Sequence, residues 1–326
     1  MKMINEVCSF QPWTKEQLGY FLTHREGEER LGDHVSLGNE TSGKAKYLIL
    51  GVSEDLGPQA NEGRPGSITA FESFVGKFVN MQSNQFLNGS EFQILGELRT
   101  NVQFDPSRKK ELVREIDLAV EQLLEPWIAQ RMIPILIGGG HNNAYPLICS
   151  VSKVCKTPIS VVNCDPHADY RATDYRHSGN SFSWARKEGK MDFYAVLGLH
   201  ESYNNQYILD RLKEDACMAT YFDDYLEDPE AFVKDIQKVL EICKGKVIGV
   251  ELDMDAIAYM PSSAMTPSGI SLEQARMYLR KMGRSDACYL HLPEAAPQTA
   301  DEKSLVGKAL AYLVSDFVKA HMKGKP

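Results

Sequence analysis

Short apolar runs alternate with longer stretches of helical period along most of the chain, and this alternation carries the first expectation. Tyr47-Leu48-Ile49-Leu50-Gly51-Val52 is too short for a buried helix and reads as a buried strand. Runs of the same kind lie at 91–98, 133–137, from Ile159, and at 193–199, 217–222, 246–252 and 287–292. Between them, apolar residues recur at helical spacing. The pattern predicts helices over 70–81, over 107–130 with Leu112, Ile116, Val120 and Leu123 on one stripe, from about Tyr145, near 272–281 and over 306–321. Asp105-Pro106 marks the start of the long helix, and Pro126 should kink or shorten it. Asp228-Pro229 reads as an N-cap residue followed by Pro at the first helical position.

Eight strands mostly separated by helices imply an α/β fold, with a mostly parallel eight-stranded sheet between two helix layers. With no internal repeat or low-complexity linker, 46–326 reads as one domain. Residues 1–45 are polar and irregular apart from a helical stretch near 14–23, and read as an N-terminal extension packed on that domain. The glycine-rich loop over 54–66 follows the first strand, but its spacing matches neither phosphate-binding motif.

Composition narrows the partners. The 326 residues are 43% hydrophobic and 25% charged, an ordinary soluble globular balance. The 36 basic and 44 acidic residues leave a net charge of -8, which argues against nucleic acid or an anionic membrane as main partner. No apolar run is long enough to span a bilayer, and the first residues lack a signal-peptide core. The seven cysteines lie mostly inside apolar runs and read as reduced core residues of a cytoplasmic protein.

Candidate chemistry sits where strands end. Val161-Val162-Asn163-Cys164 runs into Asp165-Pro166-His167-Ala168-Asp169. On an extended backbone, side chains two apart point the same way, so Asp165, His167 and Asp169 can aim at one point. His141 follows the strand at 133–137, and Asp253 and Asp255 follow the strand at 246–252. In open α/β sheets, ligands bind off the carboxyl ends of strands, where all six residues fall. Four carboxylates and two imidazoles are too many for one tetrahedral zinc and suit two ions sharing bridging carboxylates. Oxygen-rich sites with some imidazole favour Mn²⁺ or Mg²⁺. Such a centre can lower the pKa of a water and turn it on an electrophilic carbon.

Gly138-Gly139-Gly140-His141, Asp165-x-His167-x-Asp169 and Asp253-x-Asp255 together resemble the three signatures of the arginase/agmatinase (ureohydrolase) superfamily. The resemblance runs from about Tyr47 to the C-terminus and implies an arginase-like three-layer fold with two Mn²⁺ ions per chain. It implies that His141, Asp165, Asp169 and Asp253 bind one ion and that His167, Asp165, Asp253 and Asp255 bind the other. Glu294, in Leu292-Pro293-Glu294-Ala295-Ala296-Pro297, is similar to the family glutamate that receives the cationic end of the substrate.

The departures from the family pattern point to a branch. Where arginases and agmatinases carry His-Gly, this chain has Ser178-Gly179, inside a stretch that resembles that of formimidoylglutamases. Asp169-Tyr170-Arg171 and the loop from Glu54 to Gly66 are also similar to that branch, whereas Pro166 and Ser263-Ala264-Met265 depart from the family pattern. The resemblance implies a small-molecule substrate, N-formimidoyl-L-glutamate, hydrolysed to L-glutamate and formamide in histidine degradation. A guanidino hydrolase releasing urea is the alternative, and a non-catalytic metal-binding homologue a further one. Asp169 would pass a proton and Glu294 would orient the amidinium. Arg64, Arg171 and Asn180 are the candidates for the substrate's carboxylates, because Arg can hold a carboxylate through two hydrogen bonds. A homo-oligomer is the expected assembly.

Overall fold

The computed structural model describes residues 2–40 and 43–324. Its strands are β1 (Lys2–Met3), β2 (Cys8–Pro12), β3 (Ser36–Leu37), β4 (Tyr47–Ser53), β5 (Phe92–Thr100), β6 (Ile133–Ile137), β7 (Ile159–Cys164), β8 (Met191–Leu199), β9 (Met218–Tyr221), β10 (Ile248–Leu252) and β11 (Ala287–Leu292). The helices are α1 (Lys15–Gly19), α2 (Leu56–Ala60), α3 (Ala70–Phe78), α4 (Lys109–Ile128), α5 (Ala144–Cys155), α6 (Ser181–Lys187), α7 (Gln206–Glu214), α8 (Phe222–Glu227), α9 (Ala231–Ile242), α10 (Leu272–Met282) and α11 (Ala300–Gly324).

Among the described residues one sheet of eleven strands forms, in the order β1-β2-β5-β4-β6-β11-β10-β7-β8-β9, with β3 also on β5. The eight expected strands, β4 to β11, all run parallel to one another. The expected total of eight is corrected to eleven because three strands come from the N-terminal stretch read as irregular. The outer edge of β5 is shared. There β2 runs antiparallel along Gly96 to Thr100, and β3 runs parallel along Gln93 and Ile94. These added strands are short, and β2 (Cys8-Ser9-Phe10-Gln11-Pro12) alternates polar with apolar, so they lack the continuous apolar run of strands buried on both faces.

Strand residues alternate between two cores. Ile49 joins the core with α3, α10 and α11, which includes Phe71, Phe74, Tyr278 and Phe317. Leu48, Leu50 and Val52 join the core with α4 and α5, which includes Leu112, Ile116, Val120 and Leu147. Helix α4 carries Pro126 in its last turn and still reaches Ile128, so the expected break is only a short trim. Two boundaries move further. Phe222 opens α8 rather than closing a strand, and Asp228 closes that helix. Asp228 then accepts a hydrogen bond from the Glu230 N–H, and α9 begins only at Ala231. The 54–66 loop also holds a helical turn, α2. Among the described residues no helix is long and apolar enough to cross a membrane.

Candidate metal centre

Register brings the ligand candidates together. Leu252 of β10 pairs with Cys164 of β7, so the next residues, Asp253 and Asp165, leave adjacent strands at the same level. The Asp253 N–H still donates to the Cys164 carbonyl at 3.1 Å. After β6, Gly138 and Gly139 both take positive φ (+84° and +70°), a turn open to glycine, and deliver His141 into the same crevice. Asp169 and Glu294 hold positive φ without being glycine, at +46° and +66°. Strained backbone of this kind persists where the surroundings over-determine it, and both residues line the crevice.

The His141 ring is fully buried. Its Nδ1 lies 2.9 Å from Asp169 Oδ2, 3.0 Å from Asp253 Oδ2 and 3.1 Å from Asp165 Oδ2. His167 Nδ1 stands 3.6 Å from Asp165 Oδ1 and 3.8 Å from Asp255 Oδ2. Other oxygens are tethered by backbone: Asp165 Oδ1 accepts from the His167 N–H, Asp253 Oδ1 from the Asp255 N–H and Asp255 Oδ1 from the Ala264 N–H. All six expected ligands therefore meet at one crevice, as does Glu294, whose Oε1 accepts the His141 N–H at 2.7 Å.

Crowding of negative charge in a buried site is visible in the proton affinities. Burial raises Asp253 well above the ordinary carboxyl value, with Asp255 and Asp165 adding to it. Burial and Asp165 likewise raise Asp169. Burial lifts Glu294 to about 8, with Asp255 contributing. Burial works against a charged His167, yet Asp165 and Asp255 outweigh it and lift the imidazole to about 10. The cluster thus demands positive charge.

That demand, with the donor set, fits a divalent cation. His141 Nδ1 is buried and has no hydrogen bond of good geometry among the described residues. His141, Asp165, Asp169 and Asp253 each offer a ligand atom, and these atoms lie within 4.8 Å of one another. Three carboxylates with one imidazole are hard, oxygen-dominated ligands, which suits Mn²⁺ and excludes a thiolate-type zinc site.

The crevice opens into a cavity of about 120 Å³ lined by His167, Asp169, Arg171, Asp253, Asp255 and Glu294. Beside it lies a larger one of about 310 Å³ that shares Asn61, Arg171 and Ile208. Arg171 is exposed at the junction of the two. Arg64 is exposed and lines neither. Asn180 is buried and fully committed. Its Oδ1 accepts from Arg176 Nη1 and the His177 N–H, and its Nδ2 donates to the carbonyls of Ala172 and Tyr175.

Sequence reading passed over the residues that hold this frame. Arg176 is buried, pairs with Asp117 of α4 at 2.9 Å, and donates to the Asn142 carbonyl beside His141. Its signal was weak, because an arginine in a polar loop looks like a solvated one. Glu54 is buried and accepts from the Gly57 and Gly140 N–H groups and from Asn143 Nδ2, which ties the 54–66 loop to the His141 turn. Glu251 and His291 are likewise fully buried, on β10 and β11. The available signal was a charged residue two positions before Asp253, on the same face of a buried strand.

Known proteins share this fold. A Staphylococcus aureus formimidoylglutamase is 28% identical over 277 residues, covering 83% of this chain and 85% of that protein. The crystal structure of formimidoylglutamase from Bacillus subtilis matches with a TM-score of 0.77 at 16% identity, over 94% of this chain and 96% of that one. Trypanosoma cruzi formiminoglutamase, solved with Mn²⁺, matches with a TM-score of 0.75 at 18% identity, over 90% and 98%. At those identities the two structures speak for the fold. The sequence pattern of the Arginase family matches residues 45–318, and the chain belongs to that family.

Proposed function

We propose that this chain is a manganese-dependent hydrolase of a linear amidine C–N bond, with N-formimidoyl-L-glutamate as substrate and L-glutamate and formamide as products. The observation that carries the reading is one buried crevice that joins six ligand-type residues to a carboxylate for a cation, Glu294, and has an exposed guanidinium, Arg171, at its mouth. The relatives that bear the name formimidoylglutamase support the choice of substrate.

His141, Asp165, Asp169 and Asp253 would hold one ion, and His167, Asp165, Asp253 and Asp255 the other. When bound, the pair supplies Lewis-acid polarisation and a water of lowered pKa. The chain's own residues do the rest. Glu294 Oε1 is held by the His141 N–H, and Oε2 is buried with no hydrogen-bond partner among the described residues, an acceptor for the amidinium N–H groups. Asp169 moves the proton that the departing α-amino nitrogen takes as the C–N bond breaks. Arg171 attracts the glutamate carboxylates at the mouth. Asn180 supports the 172–180 loop and has no spare hydrogen-bonding group for substrate.

Purified, Mn²⁺-loaded protein should turn over N-formimidoyl-L-glutamate with a kcat/KM at least tenfold above that for arginine or agmatine, read as formamide against urea. Urea release from a guanidino compound as the faster reaction would replace this reading with the guanidino-hydrolase one. The reading includes a homo-oligomer, checked by light scattering of the same preparation.

A further inference from the structure

His141 has two ring nitrogens, and only one faces the crevice. If Nδ1 is the ligand atom, the single ring proton of a neutral imidazole sits on Nε2. The ring is fully buried, so bulk solvent does not reach that proton. The carboxylate beside Nε2 is Glu251, whose Oε2 lies 3.4 Å away, close enough to face it but without hydrogen-bond geometry among the described residues.

Glu251 is itself fixed from behind. Its Oε1 accepts the Tyr289 hydroxyl at 2.8 Å, and its Oε2 lies 2.6 Å from His291 Nδ1. Strand register makes the arrangement. Glu251 pairs with His291, and Gly249 with Tyr289, along the parallel strands β10 and β11. Gly249 is there for room: a Cβ at that position would come within 2.3 Å of the Tyr289 ring and hydroxyl. Glu251, Tyr289 and His291 are all fully buried. A carboxylate deep in a core costs several kcal/mol unless donors surround it. Here two side chains, Tyr289 and His291, are arranged for that purpose, and His141 Nε2 lies against the oxygen that His291 also faces.

We infer that Glu251, held by Tyr289 and His291, is a positioning residue for the metal centre: it accepts the Nε2 proton of His141 and keeps the Nδ1 lone pair turned to the ion that Asp165, Asp169 and Asp253 would share. Metal-binding histidines commonly rely on such a carboxylate for tautomer and orientation, and its loss typically costs about 10–100-fold in metal affinity. None of the three residues belongs to the six-ligand set. His141, Glu251 and His291 also lie close enough together to suggest a third ion. Against that, the 2.6 Å contact between His291 and Glu251 has hydrogen-bond length, and the tyrosine occupies the other oxygen. This inference rests on the proposed metal centre.

The test is Mn²⁺ titration of metal-free wild type, Glu251→Gln and Tyr289→Phe, with ion stoichiometry by mass spectrometry and site affinities by electron paramagnetic resonance. Wild type should bind two ions. Glu251→Gln should weaken one of them about 10–100-fold and leave the other within about threefold, with the melting temperature of the metal-free protein close to wild type. Tyr289→Phe should weaken the same ion by a smaller factor, and it decides the matter if Glu251→Gln does not fold. Unchanged affinity for both ions in the folded variants overturns the inference. A third ion in wild type that Glu251→Gln loses also overturns it, in favour of a buried metal site. Wild type that binds no ion would instead refute the metal centre itself.

Discussion

The floor of the crevice and its wall are held in place by different means. On the floor, Asp165 and Asp253 stand side by side because β7 and β10 are in register, and the His141 N–H donates to the Glu294 carboxylate. The wall is made by the 54–66 and 170–180 stretches, held by side chains: Glu54, Asn180 and the Arg176–Asp117 pair. Floor charges are buried and face one another, whereas the wall's one charge at the cavity junction, Arg171, is exposed. Buried charge interacts strongly and exposed charge weakly. Losses on the floor should therefore be large and should strike metal binding. Losses on the wall should be small and should strike substrate choice or loop anchorage.

The sharpest break of that contrast is Asp253→Ala. The residue would serve both ions, so metal analysis should find fewer than one ion per chain. The kcat should fall roughly 10³-fold or more, about 4 kcal/mol of transition-state stabilisation. Two ions retained in this variant would remove Asp253 from its bridging place.

The same contrast explains what the sequence disclosed. Period-two spacing and common strand polarity place Asp165, His167, Asp169, Asp253 and Asp255 without any knowledge of loops. The eight long strands were legible for the same reason. β1, β2 and β3 were not, because short strands at the margin of a sheet need no continuous apolar run. In the wall, an asparagine or arginine is equally suited to bind substrate or to tie the chain to itself, and only the fold decides. Asn180 serves the second use, Arg64 projects to solvent, and Arg176 supplies a buried anchor. Glu251 shows the same blindness on the floor: its partners Tyr289 and His291 come from a strand some 40 residues away in sequence.

A smaller effect should come from the wall's own anchorage in acid. His177 is buried, and its Nδ1 accepts the Gly179 N–H at 3.1 Å. Burial pushes the imidazole down to about 4 from an ordinary 6.5, with Arg171 and Arg176 adding to the shift. A histidine depressed in the folded state binds its proton more readily when unfolded. Its contribution is therefore present above about 6.5 and lost as pH falls towards 4. His177→Asn keeps an acceptor for the same N–H and cannot titrate. Denaturant midpoints of metal-free protein at pH 7 and pH 5 should show wild type losing more stability than the variant, by roughly 1–2 kcal/mol. Equal losses would mean that His177 is not held neutral by the wall.

The smallest effects separate the two arginines. Arg171 is exposed at the junction of the two cavities, and Arg64 lines neither, although both lie in loops that resemble the same branch of the family. An exposed ion pair is worth up to about 1 kcal/mol, so Arg171→Ala should lower kcat/KM for N-formimidoyl-L-glutamate about fivefold, through KM, with metal content unchanged. For agmatine, a dication without a carboxylate, the change should be absent or reversed, since removal of a like charge relieves repulsion. Arg64→Ala should alter neither substrate by more than about twofold. Raised salt should shrink the Arg171 effect, because an exposed charge is screened over about 10 Å at 0.1 M ionic strength. An Arg64 effect larger than that of Arg171 would mean that the 54–66 loop closes over the substrate and brings Arg64 to the mouth. An equal loss for both substrates in Arg171→Ala would mean that Arg171 supports the wall instead of reading charge.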